Sequence, residues 1–184
     1  MRATEILMQE HRVIERVLDA LEAAAHRAER GEPMRPMFFA DAADFIRGFA
    51  DGCHHQKEEG VLFKAMESAG MPTQAGPIAV MLTEHEQGRA FTRSMLAAAE
   101  RWENGDESAR SDAAKAAKGY VALLRDHILK EDNVLFPMAA QVIPSGKHGE
   151  VTAEVERVEE EETGAGVHEK YLALAQKLED EVKV

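Results

Sequence analysis

The chain has 184 residues, 34 acidic against 22 basic side chains, and a formal net charge of −12. That length suits one domain with a substantial core, and the negative charge argues against nucleic acid or an acidic membrane surface as a partner, since both are polyanions. No run of about 18 apolar residues is present to span a bilayer, and the single cysteine, Cys53, rules out an internal disulfide. The opening Met1-Arg2-Ala3-Thr4-Glu5 runs into an amphipathic stretch rather than a signal peptide, so a cytoplasmic location is expected.

Aromatic residues make up only 5%, and Ala, Leu, Met, Glu, Lys and Arg are abundant, a helix-forming mixture. Breaks at Gly31–Pro36, Gly70–Pro77, Asn104–Asp106 and Pro144–Gly149 divide the chain into five helical segments. The first runs from about Thr4, a favourable N-cap, to Arg30, with the seam Leu7, His11, Ile14, Leu18, Leu21, Ala25. The second, about Met37 to Ser68, carries Ala42, Ile46, Ala50, His54, Glu58, Leu62. The third, about Pro77 to Glu103, carries Ile78, Leu82, His85, Arg89, Thr92, Leu96, Ala99. The fourth, about Ser108 to Val142, carries Ala117, Tyr120, Leu124, His127, Glu131, Val134, Met138. Short connections predict antiparallel neighbours, hence an all-α, up-down-up-down four-helix bundle over residues 1–143. Residues 144–184 read as a helical extension docked on the bundle or on a partner subunit, which leaves a homodimer open. Its glutamate run, Glu159 to Glu162, reads as a solvated face, and the following Thr163–Gly166 as a helix break.

One pattern occurs twice. Glu10-His11 is followed by His54-x-x-Lys57-Glu58 and Val61-Leu62-Phe63; Glu84-His85 is followed by His127-x-x-Lys130-Glu131 and Val134-Leu135-Phe136. His11 and His54 lie 43 positions apart, His85 and His127 42. His-x-x-x-Glu puts both side chains on one helical face, and every one of these residues falls on an apolar seam. A lone copy reads equally well as a satisfied core histidine with an ion-paired glutamate. Two copies place four imidazoles and two carboxylates in one core, where polar groups must be paired or bound to metal. His11, His54, Glu58, His85, His127 and Glu131 are therefore the candidate ligands.

These residues resemble those of the hemerythrin-like, or HHE cation-binding, family over about Thr4 to Met138. The resemblance implies a four-helix bundle holding a non-haem di-iron centre bridged by Glu58 and Glu131, with His11 and His54 on one iron and His85 and His127 on the other. Ferritin-like proteins use Glu-x-x-His with further glutamates, a pattern absent at the right places. Imidazole and carboxylate ligands also suit zinc or manganese; the resemblance is what selects iron. Oxygen-carrying members have a second histidine four residues after that of the third helix, where this chain has Arg89. Four histidines would then be shared two per metal, leaving more open coordination positions.

The implied role is binding or sensing of dioxygen, peroxide or nitric oxide, or iron homeostasis. Two other readings stand beside it: a di-iron peroxidase- or oxidase-like enzyme, and an interaction module whose metal is structural. Around the candidate ligands, His55 and Glu59 repeat the His-x-x-x-Glu spacing one residue later and read as neighbours that orient the ligands or face the surface. Arg89 is placed to hold an anion, pair with a bridging carboxylate or reach solvent. Tyr120 reads as a core tyrosine that can also hydrogen-bond a metal-bound species. Cys53 reads as an inert small hydrophobe, and His26, His148 and His168 as solvent-facing.

Overall fold

The computed structural model describes residues 2–160 and 166–183. Among them the chain is helical with no strand. Helix α1 spans Ala3–Glu29. The second rod is α2 (Met37–Phe45), two π-helical stretches at Ile46–His55 and Glu58–Leu62, and α3 (Phe63–Ser68). The third is α4 (Gly76–Glu103). The fourth is α5 (Ala109–Lys130), a π-helical stretch at Glu131–Leu135, and α6 (Phe136–Val142). Helix α4 lies between α2 and α5, and α5 lies between α4 and α1, so the rods form the expected bundle.

Helices α7 (His148–Val158) and α8 (Val167–Val182) pack back onto it: α7 against α1 and Glu58–Leu62, α8 against α1 and α2. The break expected at residues 163–165 and the glutamates at 161 and 162 lie outside the described residues. Thr4 does not cap α1. The cap is Arg2, two residues earlier, with the Arg2 backbone N–H donating to Glu5 at 2.8 Å and the Ala3 N–H donating to Thr152 Oγ1 of α7 at 3.1 Å.

Apolar side chains form two clusters, one at each end of the rods. One gathers Ile14–Ala28, Phe38–Ala50, Met95–Trp102 and Ala109–Leu124 with Tyr171, Ala175 and Leu178 of α8. The other gathers Ala3, Leu7, Val61–Met66, Ile78, Met81 and Leu135–Ile143 with Val151, Val155 and Val158 of α7. Between them lies a polar belt of Glu10, His11, His54, His55, Lys57, Glu58, His85, His127 and Glu131, each under 5% exposed. The bundle thus buries its charges across its waist and closes both ends with hydrocarbon.

The π-helical stretches explain where the seams depart from simple periodicity. The second-rod seam advances four residues at every step from Ala42 to Leu62, and all six positions are buried. On an ideal α-helix each such step drifts about 40° around the axis. The wider π turns absorb that drift. In the fourth rod the register shifts by one residue after Glu131. Leu135 and Ala139 take the inward positions expected of Val134 and Met138, and Val134 is left 49% exposed.

Gly48 sits where α8 crosses the second rod. A Cβ there would stand 1.8 Å from the Tyr171 hydroxyl. Gly48→Ala must therefore push Tyr171 out of its place against Phe45, and a loss of about 1–3 kcal/mol is expected from overpacking, read as a lowered thermal midpoint with faster proteolysis of α8. An unchanged midpoint would show that α8 docks without this contact.

Candidate metal centre

Two groups of ligating atoms lie within 4.8 Å of one another: His11, His54, Glu58 and Glu131 form the first, and His55, Glu58, His85 and His127 the second. The six sequence candidates all face this one space. Glu58 spans the groups, its Oε1 at 3.5 Å from His54 Nε2 and its Oε2 at 3.5 Å from His85 Nε2. Glu131 spans them the other way, with Oε2 at 3.2 Å from His11 Nε2 and Oε1 at 3.2 Å from His127 Nε2. Each carboxylate is thus placed to bridge two cations.

His55 corrects the expected partition. It was expected beside the ligands; instead its ring is 3% exposed and stacks on His85 at 3.8 Å between centroids. The groups hold two and three histidines rather than two each. The π-helical stretch Ile46–His55 is the cause: its wider turn reduces the angle between successive side chains, so that adjacent His54 and His55 both point inward. Arg89, where a third-helix histidine was missing, lies behind the site instead of in it.

All five histidines are oriented the same way. Nδ1 of His11 meets Asp132 at 2.7 Å, of His54 Glu10 at 2.9 Å, of His55 Asp51 at 2.9 Å, of His85 Glu59 at 2.7 Å and of His127 Glu84 at 2.8 Å. An ionised carboxylate only accepts, so each Nδ1 carries a proton and each Nε2 is turned inward, where it can offer its lone pair to a metal. This is how imidazoles are held for a metal. The carboxylates are in turn paired with cations: Glu10 with Lys57, Glu84 with Lys130, Asp132 with Arg12, and Glu59 with Arg89 at 2.7 Å.

The duplication is visible in these bonds. The glutamate preceding each seam histidine, Glu10 or Glu84, accepts from the His-x-x-x-Glu histidine of its own half and from that half's lysine. The residue following each bridging glutamate, Glu59 or Asp132, accepts from the seam histidine of the other half. Phe136 stacks on His11 at 5.5 Å and Phe63 on His85 at 6.1 Å, so the aromatic of each half covers the seam histidine of the other. Asp51 and His55 have no counterpart: the equivalent positions in the second half hold Leu124 and Ile128.

The residues fit a cation pair. His11 Nε2, His54 Nε2 and all four oxygens of Glu58 and Glu131 are buried without a hydrogen-bond partner among the described residues. Nε2 of His85 and of His127 face each other at 3.1 Å with both lone pairs turned inward, an arrangement that a shared cation relieves. Leaving such groups uncompensated costs several kcal/mol in total. Without metal, burial and the adjacent Glu131 hold the Glu58 carboxyl well above the usual range, while the facing imidazoles of His11 and His127 outweigh burial and hold Glu131 well below it. Burial pushes His54 down to about 4 and His55 well below its ordinary value. Burial opposes charge on His11, but Asp132 and Glu131 raise it to about 9.

The surrounding candidates are placed as follows. Glu59 is half-buried and bonded to His85 and Arg89; burial resists its ionisation, yet those bonds hold it down at about 2. Tyr120 is 1% exposed with its hydroxyl unpartnered. Cys53 is buried. His26 is exposed, but His148 and His168 are half-buried, and His168 packs against Phe49 and faces Glu159. Reading the sequence alone missed the five orienting carboxylates as a set, although Glu10, Glu84 and Glu59 stood inside the repeated motif.

Residues 2–139 match the family model described as the hemerythrin HHE cation-binding domain. Uncharacterized proteins of Mycobacterium tuberculosis and Mycobacterium bovis are 31% identical to this chain over 141 residues, which is 77% of this chain and 54% of theirs. The chain therefore spans about half the length of these curated relatives. No solved structure gives a significant match. No described helix is long and apolar enough to cross a membrane.

The orienting carboxylates yield a direct prediction. Glu84→Ala removes the acceptor of His127 Nδ1 and the partner of Lys130, and metal affinity is expected to fall about 10–100-fold with helicity retained. Equal affinity in a competition titration against a chelator would show that Glu84 does not set the histidine.

Proposed function

The chain belongs to the hemerythrin HHE cation-binding domain family, and on that premise we propose that its buried belt holds two iron ions and acts on a small ligand, dioxygen, peroxide or nitric oxide, or reports iron itself. His11 and His54 would hold one iron, His55, His85 and His127 the other, with Glu58 and Glu131 between them. Iron in this position would supply reversible binding of such ligands or electron transfer to them.

The chain's own residues do the remainder. Five carboxylates hold the Nδ1 side of each ring and so keep every Nε2 turned inward. Phe63 lies over His85 and Phe136 over His11, and they keep water from those rings. Glu58 and Glu131 supply two negative charges against the cations in a space of low polarity, where unpaired charge is costly. The observation that carries the proposal is the set of orphaned inward atoms on four elements, all buried, all of ligating type, and all within reach of one another.

Unequal histidine counts favour unequal metals. The position served by His11 and His54 has one nitrogen ligand fewer, so it has more room for an exogenous ligand. The test is anaerobic ferrous protein followed by absorption spectroscopy on admission of air, and separately of nitric oxide. New charge-transfer bands that depend on His54 and Glu58 are expected with at least one of the two gases. Spectra unchanged by either gas in protein carrying two irons would contradict the ligand-binding reading while leaving the metals in place.

His55→Ala is expected to weaken one metal only, giving biphasic release to a chelator with the first phase about tenfold faster than in the parent chain. Release identical to the parent would return His55 to a supporting role.

A further inference from the structure

Behind the second metal position lies a cleft of about 440 Å³ lined by Arg47, Asp51, Arg89, Thr92, Arg93 and Leu96. Three arginines on one small concavity are unexpected in a chain of net charge −12. Most of the molecule's arginines are paired with carboxylates, as Arg12, Arg16, Arg35, Arg101 and Arg125 show. Arg47 and Arg93 are not: among the described residues neither makes an ion pair or hydrogen bond. Two exposed guanidinium forks without an ion-pair partner therefore line the cleft, beside the half-buried Asp51.

Near the cleft, though not lining it, lies a buried polar group with nothing to bond among the described residues. The Tyr120 hydroxyl is fully buried and unpartnered, and its electrostatic neighbours are Asp51 and Arg89, two of the cleft's lining residues. Arg89 forms the floor. It holds Glu59 at 2.7 Å and Glu86 at 2.6 Å, and its Nε lies 3.6 Å from Asp51. Glu59 and Asp51 are the carboxylates that orient His85 and His55, both of the second metal group. One guanidinium thus touches the supports of two candidate ligands of the same metal.

We propose that this cleft is a binding subsite for a small oxyanion, a molecule bearing a phosphate or a carboxylate group, gripped by Arg47 and Arg93 with Arg89 beneath it. Guanidinium forks recognise both groups by paired, charge-assisted hydrogen bonds. The size of the space admits a small metabolite rather than a polymer. Through Arg89 the bound anion pulls on Glu59 and Asp51, so occupancy of the cleft is transmitted to His85 and His55. The coupling half of this inference rests on the metal reading; the binding half does not.

The test is calorimetric titration of the full chain with inorganic phosphate and, separately, with succinate, in a chloride buffer at fixed ionic strength. Each is run on metal-free and metal-loaded protein, with metal content measured on the same samples. Saturable one-to-one binding of at least one probe is expected in both forms, weakened at least tenfold in Arg47→Ala/Arg93→Ala. That double variant changes only exposed side chains and is expected to keep the parent's metal content. The stronger probe identifies whether phosphate or carboxylate is preferred. Absence of saturable binding by either probe, or equal affinity in the double variant, overturns the subsite. Binding in a protein that takes up no metal would sustain the subsite and sink the metal reading, so the two fail separately.

Discussion

Everything in this molecule is arranged around the cost of putting two carboxylates and five imidazoles in the middle of a helical bundle. Polar groups buried without partners cost about 1–3 kcal/mol each, and several together are comparable with the whole stability of a domain. The sequence meets that cost from outside first. Each histidine donates Nδ1 to a carboxylate, and most of those carboxylates meet a lysine or arginine. What remains unmet is the inner surface: Nε2 atoms and four carboxylate oxygens converging on one space. A pair of divalent cations, as proposed, would complete it.

The duplication supplies half of each solution and the break in symmetry supplies the rest. Corresponding residues exchange partners across the two halves, so the aromatic and the acidic residue that follow each bridging motif serve the histidine of the other half. Such exchange ties the halves together through the site itself. Asymmetry enters at Asp51 and His55, admitted by a π-helical stretch in the second rod. It also enters at the lysines: Lys57 is fully buried beneath Glu159 at the end of α7, whereas Lys130 is 40% exposed. The C-terminal helices therefore cover one flank of the belt and leave the other open.

Much of this was legible in the sequence. The spacing of His11, His54, His85 and His127 and the seams they sit on gave the bundle and the inward-facing residues, because an α-helical period relates sequence position directly to direction. The errors share one cause. Val134 and Met138 were expected inside where Leu135 and Ala139 are found, and His55 was expected to support the ligands or face the surface rather than point into the site. Each follows a π turn, whose extra residue shifts direction without changing composition. One signal was present: the second-rod seam steps by four at every interval, a drift that an unbroken α-helix cannot keep on one face. Long-range pairings such as His11 with Asp132 had no such trace, since nothing in local spacing reports which rods are neighbours.

The central claim is that the belt is a two-metal site. Its most direct measurement is metal content per chain by mass spectrometry, on protein reconstituted anaerobically with iron and freed of excess, with thermal midpoint recorded before and after chelation. The account predicts two irons per chain and a midpoint that falls when they are removed, because the inward atoms then lose the cations that compensate them. A chain that binds no metal, with a midpoint indifferent to iron and chelator alike, would contradict it.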